Sequence, residues 1–249
     1  TVAGVLLLGS DQPFDEDFAR AARAITGQAA LAFNNAASLA RLDELSWGAL
    51  TALARTIDAA SPWTAGHSER VTKLAVRIGR TLGLSDHEID ILHRGGLLHD
   101  IGKIGVPAAI LDKAGSLTAS ERTAINAHPE IGARILAPVK AFAAAIPLVR
   151  WHHEVLDGSG YPDGLRGTEI PFLVRVMTVA DVCDALTSER PYRPAWSVDR
   201  ALEHIKESAG RRFDPAVVAA LEHIYANDLA SPASSGPLPT LTPREALAI

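Results

Sequence analysis

Between residues 67 and 181 this chain sets histidines and aspartates into apolar, helix-patterned surroundings. They are His67, the pair His99-Asp100, His128, the pair His152-His153, and Asp181. Seven nitrogen- and oxygen-donor side chains exceed what one metal ion needs and suit two ions that share a bridging carboxylate. Asp100 can bridge because a carboxylate has two oxygens. Such a mixed donor set suits iron, manganese or zinc better than calcium. Two adjacent metals are a standard device for hydrolysing a phosphate ester. Neighbouring residues of a helix point about 100° apart. His99 and Asp100 therefore converge on one site only near a helix end, or with the ions between them, and the same holds for His152-His153. Gly102 and Gly105 predict that a helix terminates there. A lone histidine is more often a surface or core residue than a ligand, and His87, His93, His204 and His223 are given that ordinary role.

Residues 2–8 (VAGVLLL) form a short strand-like run that stops at Gly9-Ser10-Asp11. A long helix is predicted from about 15 to 60. Phe18, Ala22, Ile25, Ala29, Ala32, Ala36 and Leu39 keep alternating four- and three-residue steps, the seam of a coiled coil. After a register change, Leu42, Leu45, Ala49 and Ala52 carry on. This is either a dimeric signalling helix or a core helix of the same domain. Ser61-Pro62 breaks it. Val71, Leu74, Ala75, Ile78 and Leu82 share one face of the next helix, and Arg70, Lys73, Arg77 and Arg80 fall on the face expected to be solvated. Ser85-x-x-Glu88 and Thr118-x-x-Glu121 read as capping boxes. Pro129, Pro147 and Pro215 stand where helices begin. Residues 157–167 are too rich in Gly and Pro to be other than loop, and from 231 the Pro/Ser-rich chain reads as a disordered tail. The expected domains are 1–60, 61–228 and 229–249. The chain starts inside an apolar run without an initiator Met, and a further domain upstream is expected.

Composition narrows the partners. Apolar residues make up 47% of the 249, enough for a sizeable core, and the net charge of −5 argues against a nucleic-acid polymer as partner. No run of 18 apolar residues marks a membrane segment. Cys183 is the only cysteine, so there is no disulfide framework, and a reducing cytoplasm fits.

His99-Asp100-Ile101-Gly102-Lys103 resembles the HD phosphohydrolase motif. His152-His153-Glu154-x-x-Asp157-Gly-x-Gly160-Tyr161-Pro162-x-Gly164 resembles the signature of its HD-GYP subfamily. His67-Ser68-Glu69-Arg70-Val71, Ala127-His128-Pro129-Glu130-x-Gly132 and Ala180-Asp181-x-x-Asp184-Ala185-Leu186 extend the likeness over residues 55–227. Residues 2–8 and the long helix resemble the last strand and helix of a GAF sensor domain. The resemblance implies an all-α HD-domain helical bundle, preceded by a long signalling helix and a short N-terminal strand. It also implies a bacterial, cytoplasmic phosphodiesterase that opens cyclic di-GMP to pGpG or GMP.

Carried over residue by residue, the family's ligands give two sites. His67, His99, Asp100 and Asp181 would hold one divalent ion, and Asp100, His128, His152 and His153 the other, with a bridging water or hydroxide. Iron or manganese is expected, and zinc is admissible. Some family members use a glutamate four residues before the first histidine for a third metal; here that residue is Trp63. Asp100 and Lys103 are the expected catalytic residues, with Lys103 contacting the phosphate or protonating the leaving oxygen. Gly160, Tyr161, Pro162, Arg190 and Arg193 are expected at the substrate. Tyr161 would stack on a guanine or hydrogen-bond a phosphate, unless the loop packs for structure or serves a GGDEF-domain partner. Cys183 is expected to be a buried packing residue, and Asp184 a hydrogen-bonding neighbour of the ligands. Two alternatives stand beside this: hydrolysis of another cyclic dinucleotide, and a receptor that binds cyclic di-GMP or a GGDEF protein without turnover. A homodimer through the N-terminal helix is expected.

Overall fold

The computed structural model describes residues 13, 15–113, 115–189 and 193–230. The strand expected at 2–8, Arg190 and the tail from 231 lie outside them. Among the described residues every regular element is a helix, as expected for an all-α bundle, apart from two isolated bridges, Asp157 with Arg166 and Ala209 with Phe213.

The chain divides into two compact units, Thr1–Ala49 and Leu50–Ile249. The first unit contains most of helix α1, Glu16–Asp58. Glu16 and Asp17 in its first turn and Arg55 in its last complement the helix dipole. Ile25, Leu31, Phe33, Leu39, Leu42 and Leu45 are each more than half exposed.

The second unit is built from α2 (His67–Thr81), α3 (Asp86–Leu98), α4 (Ala108–Leu111), α5 (Ala119–Asn126), α6 (His128–Leu136), α7 (Ile146–Trp151), α8 (Phe172–Thr187), α9 (Val198–Glu207) and α10 (Pro215–Ala230). Both capping boxes form, at Ser85 with Glu88 and at Thr118 with Glu121. Val71, Leu74, Ala75 and Ile78 are buried, as the periodicity of α2 requires. α8 is the central helix. Val174, Val176, Met177, Val179, Ala180 and Cys183 are all inaccessible to solvent, so α8 is buried over most of its circumference.

The end of α3 runs into a 3-10 turn, Ile101–Gly105, that lies directly on α6. A Cβ on Gly102 would overlap the His128 carbonyl oxygen and crowd the Gly132 backbone nitrogen. The glycine of the His-Asp-x-Gly-Lys stretch thus lets two backbones touch, and this contact brings His128 to the His99-Asp100 pair.

Candidate metal centre

Three of the histidines stand at helix ends. His99 follows α3, His152 follows α7, and His128 opens α6 just after α5. The last carbonyls of a helix lack partners within it. The Nδ1 atoms of His99, His128 and His152 donate to the carbonyls of Gly96, Ile125 and Val149, at 2.7, 2.8 and 2.9 Å. A carbonyl only accepts, so each Nδ1 carries the proton and each Nε2 turns a lone pair inward. His67 differs. It begins α2, and its Nδ1 lies 2.7 Å from Asp184 Oδ2.

The Nε2 atoms converge on Asp100, and its two oxygens divide them. Oδ2 faces His67 at 3.6 Å and His99 at 3.3 Å. Oδ1 faces His128 at 3.2 Å and His152 at 4.0 Å. Asp181, from α8, reaches His67 Nε2 with Oδ1 at 3.3 Å and His153 Nδ1 with Oδ2 at 3.8 Å. Three donor sets have atoms within 4.8 Å of one another: His67, His99 and Asp181; His128, His152 and His153; and His99, Asp100 and His152.

This cluster fits divalent ions on two grounds besides its chemistry. His99 Nε2 is the one buried side-chain nitrogen or oxygen, among the described residues, without a hydrogen-bond partner. The Nε2 atoms of His128 and His152 face each other at 3.2 Å; with both Nδ1 protons committed to carbonyls, two lone pairs oppose, which a shared cation relieves. The clustered histidines and aspartates therefore constitute a binuclear-type divalent-metal site.

Electrostatics differ across the cluster. Burial opposes charge on His67, but hydrogen bonds to Asp181 and Asp184 more than offset it and raise its pKa to about 9. Burial also opposes charge on Asp100, and there the Lys103 ammonium prevails, holding the carboxyl well below its usual range. Burial depresses His152, reinforced by the neighbouring rings of His153, His99 and His128. It pushes His153 down to about 3 against the attraction of Asp181. Neutral imidazole is the form that binds a metal.

A cavity of about 320 Å³ opens over the cluster. Its walls include Lys103, Tyr161 and Arg193 beside His67, Asp100 and Asp181. Lys103 Nζ donates to Asp100 Oδ2 at 2.5 Å. The Tyr161 ring lies 4.6 Å from that of His153, tilted by 31°. Arg193 donates to the carbonyls of Leu186 and Ala185 at the end of α8, at 3.1 and 2.7 Å. Gly160 and Pro162 are not among the walls; Gly160 packs against the backbone of residues 153–155, where a Cβ would not fit. Trp63 lies in the 3-10 turn Pro62–Thr64 and offers no ligating atom.

Two side chains escaped the sequence reading. Arg70, assigned to a solvated face, instead grips Asp184 with Nε on Oδ1 at 2.7 Å and Nη2 on Oδ2 at 3.1 Å. Its target lies 114 residues away, so helical periodicity carries no trace of the pairing. Glu154 is buried and accepts the backbone N–H groups of Asp163, Gly164 and Leu165, at 2.7, 3.0 and 3.0 Å, which pins the loop that carries Tyr161. Its place directly after His152-His153 was the available signal.

A family model described as an HD domain matches residues 51–217. The chain is similar to the 3'3'-cGAMP-specific phosphodiesterase 3 of Vibrio cholerae, 46% identical over 173 residues that cover 70% of this chain and 38% of that protein. It is also similar to the cyclic di-GMP phosphodiesterase response regulator RpfG of Xanthomonas campestris pv. campestris, 42% identical over 188 residues, 74% of this chain and 50% of that protein. The chain thus spans half or less of the length of these relatives. Among solved structures, an HDG"Y"P protein from Bdellovibrio bacteriovorus aligns with a TM-score of 0.56 at 22% identity, over 67% of this chain and 53% of that one, a likeness of fold. The matched family model, the His-Asp pair at the centre of the cluster and the helical fold agree: the chain belongs to the HD domain family.

Proposed function

We propose that this chain is a metal-dependent phosphodiesterase that hydrolyses cyclic di-GMP to pGpG or GMP at a two-metal centre. The observation that carries the reading is the division of donors by the two oxygens of Asp100, with His67 and His99 on one and His128 and His152 on the other. In this reading His67, His99, Asp100 and Asp181 hold one ion, and Asp100, His128, His152 and His153 the other. Iron or manganese suits these donors, and zinc is admissible. Trp63 in place of a carboxylate supports two ions rather than three. Bound there, the ions would acidify a water and offset the charge on the phosphoryl oxygens.

The chain's own residues then supply binding and proton handling. Lys103 Nζ, already on Asp100 Oδ2, is close enough to the centre to contact a phosphate oxygen or to give a proton to the leaving 3′-oxygen. Burial, with Asp181 and Asp100 nearby, raises the Tyr161 pKa above its ordinary value, so the hydroxyl stays protonated as a donor and the ring stays available to stack on a base. Arg193 would orient the dinucleotide from the cavity wall, together with Arg190 from its neighbouring position in the sequence. The name of the Vibrio cholerae relative favours a second reading, with 3′3′-cGAMP as substrate. A homodimer through α1 belongs to the proposal, supported by the exposed Ile25, Leu39, Leu42 and Leu45; a monomeric mass in solution would overturn that part. Among the described residues no helix is long and apolar enough to cross a membrane.

The test is anaerobic purification, metal analysis, and chromatography of cyclic di-GMP and 3′3′-cGAMP after incubation with Fe(II) or Mn(II). Cleavage that Asp100→Ala abolishes supports the reading, and the faster substrate decides between the two dinucleotides. Two bound metals without turnover of either would leave a receptor and overturn the enzymatic reading.

A further inference from the structure

Helix α2 begins with His67 yet carries no side-chain cap of its own. Its N-cap is Gly66, with φ of 69° and nothing to offer the unpaired N–H groups of the first turn. The cap comes from another helix. Asp58, the last residue of α1, is only 3% exposed. Its Oδ2 accepts the Ser68 N–H at 3.1 Å and its Oδ1 accepts the Ser68 hydroxyl at 2.7 Å. Ser68 is the second residue of α2 and follows His67 directly. A carboxylate at a helix N-terminus also suits the dipole. Further bonds lock the joint. Thr64 Oγ1 donates to the Asp58 carbonyl at 2.7 Å. Arg55 pairs with Glu69 at 2.6 and 3.3 Å. Arg70 Nη1 donates to the Ala65 carbonyl at 2.8 Å.

We propose that Asp58 is a positioning residue for the metal centre. By capping α2 from outside, it fixes the turn that aims His67 Nε2 at Asp100 and Asp181, 3.6 and 3.3 Å away. The last turn of α1 and the first turn of α2 then move together, so a shift at the end of α1 is felt at one ligand of one ion. The hydrogen bonds of the Asp58 carboxylate go to Ser68, and it is through Ser68 that it acts. The inference rests on the metal reading above and not on the identity of the substrate.

The experiment titrates Co(II) into the full chain after chelation, following affinity, the visible d–d absorption and the melting temperature with and without metal. Asp58→Asn keeps the size but loses the charge and one acceptor; Ser68→Ala removes the hydroxyl bond alone. Hydrogen-bond partners of metal ligands cost roughly 10- to 100-fold in affinity when lost. Asp58 acts one residue further out, so Asp58→Asn should weaken one of the two Co(II) sites by about three- to tenfold. It should also shift the absorption bands and shrink the rise in melting temperature that Co(II) gives, with Ser68→Ala following in the same direction by less. A purely structural cap predicts otherwise: both variants would bind two Co(II) ions with wild-type affinity and spectrum, while only the metal-free melting temperature fell. That result overturns the proposal. Should Asp58→Asn fail to fold, Ser68→Ala decides alone. A wild-type chain that binds no Co(II) would instead remove the metal reading itself, and this inference with it.

Discussion

Replacing Glu154 by glutamine should loosen the loop that carries Tyr161 while leaving side-chain volume nearly unchanged. Glu154 Oε1 accepts from Asp163 and Gly164, and Oε2 accepts from Leu165. Glutamine keeps one acceptor oxygen. With that oxygen on the first two N–H groups, the new NH2 faces the Leu165 N–H, donor against donor, at a residue 1% exposed. A hydrogen bond to a charged group is worth about 1.5–3 kcal/mol, and an unsatisfied buried donor costs a similar amount. Allowing for some relaxation, the net loss is about 3 kcal/mol, concentrated in the loop. At 1.4 kcal/mol per tenfold, local opening should become about 100-fold more frequent. Hydrogen exchange at the amides of Asp163, Gly164 and Leu165 reads this directly, and urea unfolding reports how much reaches the whole domain. Exchange rates within about threefold of wild type would mean that these three bonds do not hold the loop.

Three other outcomes follow from the geometry. Asp184→Asn removes the carboxylate from His67 Nδ1 and takes from Arg70 its carboxylate partner, so affinity for one metal ion should fall by about 10- to 100-fold, read by competition with a chromophoric chelator. Burial, against the attraction of Asp90 and with the repulsion of Arg94 and Arg80, pushes His93 down to about 4. The unfolded chain therefore binds the extra proton between that value and about 6.5, and the stability linked to His93 is complete above about 6.5 and lost as pH falls toward 4. Its size is of the order of 3 kcal/mol, and in metal-free protein His93→Gln should flatten the pH dependence of unfolding across that window; parallel curves for variant and wild type would refute the assignment. Lys103→Met should lower turnover of the dinucleotide by about 100-fold or more if the ammonium serves the leaving oxygen, with both metals still bound; a loss of metal would instead assign Lys103 to holding Asp100.

Much of this architecture was legible because its signals are local. The two capping boxes, the helix break near Ser61 and the buried face of α2 each depend on residues within a few positions of one another. The convergence of His99 and Asp100 at a helix end was foreshadowed by Gly102 and Gly105, since a pair of adjacent donors can meet only where the helical turn stops. What stayed hidden is long-range. Arg70 lies on the polar side of α2 by periodicity, and only the packing of α8 against that helix turns it onto Asp184. Asp58 resembles any acidic residue near a helix end until the chain doubles back to place Ser68 beneath it. The seam along α1 reads clearly in sequence, and the exposure of Ile25, Leu39, Leu42 and Leu45 agrees with a surface rather than a core position in the single chain.

The contact of Gly102 with the start of α6 bears on how far this centre can diverge. Side chains adjust by rotating about their bonds, and a cluster held apart by side chains can drift as they are exchanged. Here the separation of the main chains that carry the His99-Asp100 pair and His128 is set by one backbone resting on the other. Substitutions in the surrounding walls can retune affinity, charge or the shape of the cavity without altering the distance across Asp100. The frame from which His99, Asp100 and His128 reach toward a pair of ions is therefore a property of the backbone, kept through changes that leave Gly102 and Gly132 bare.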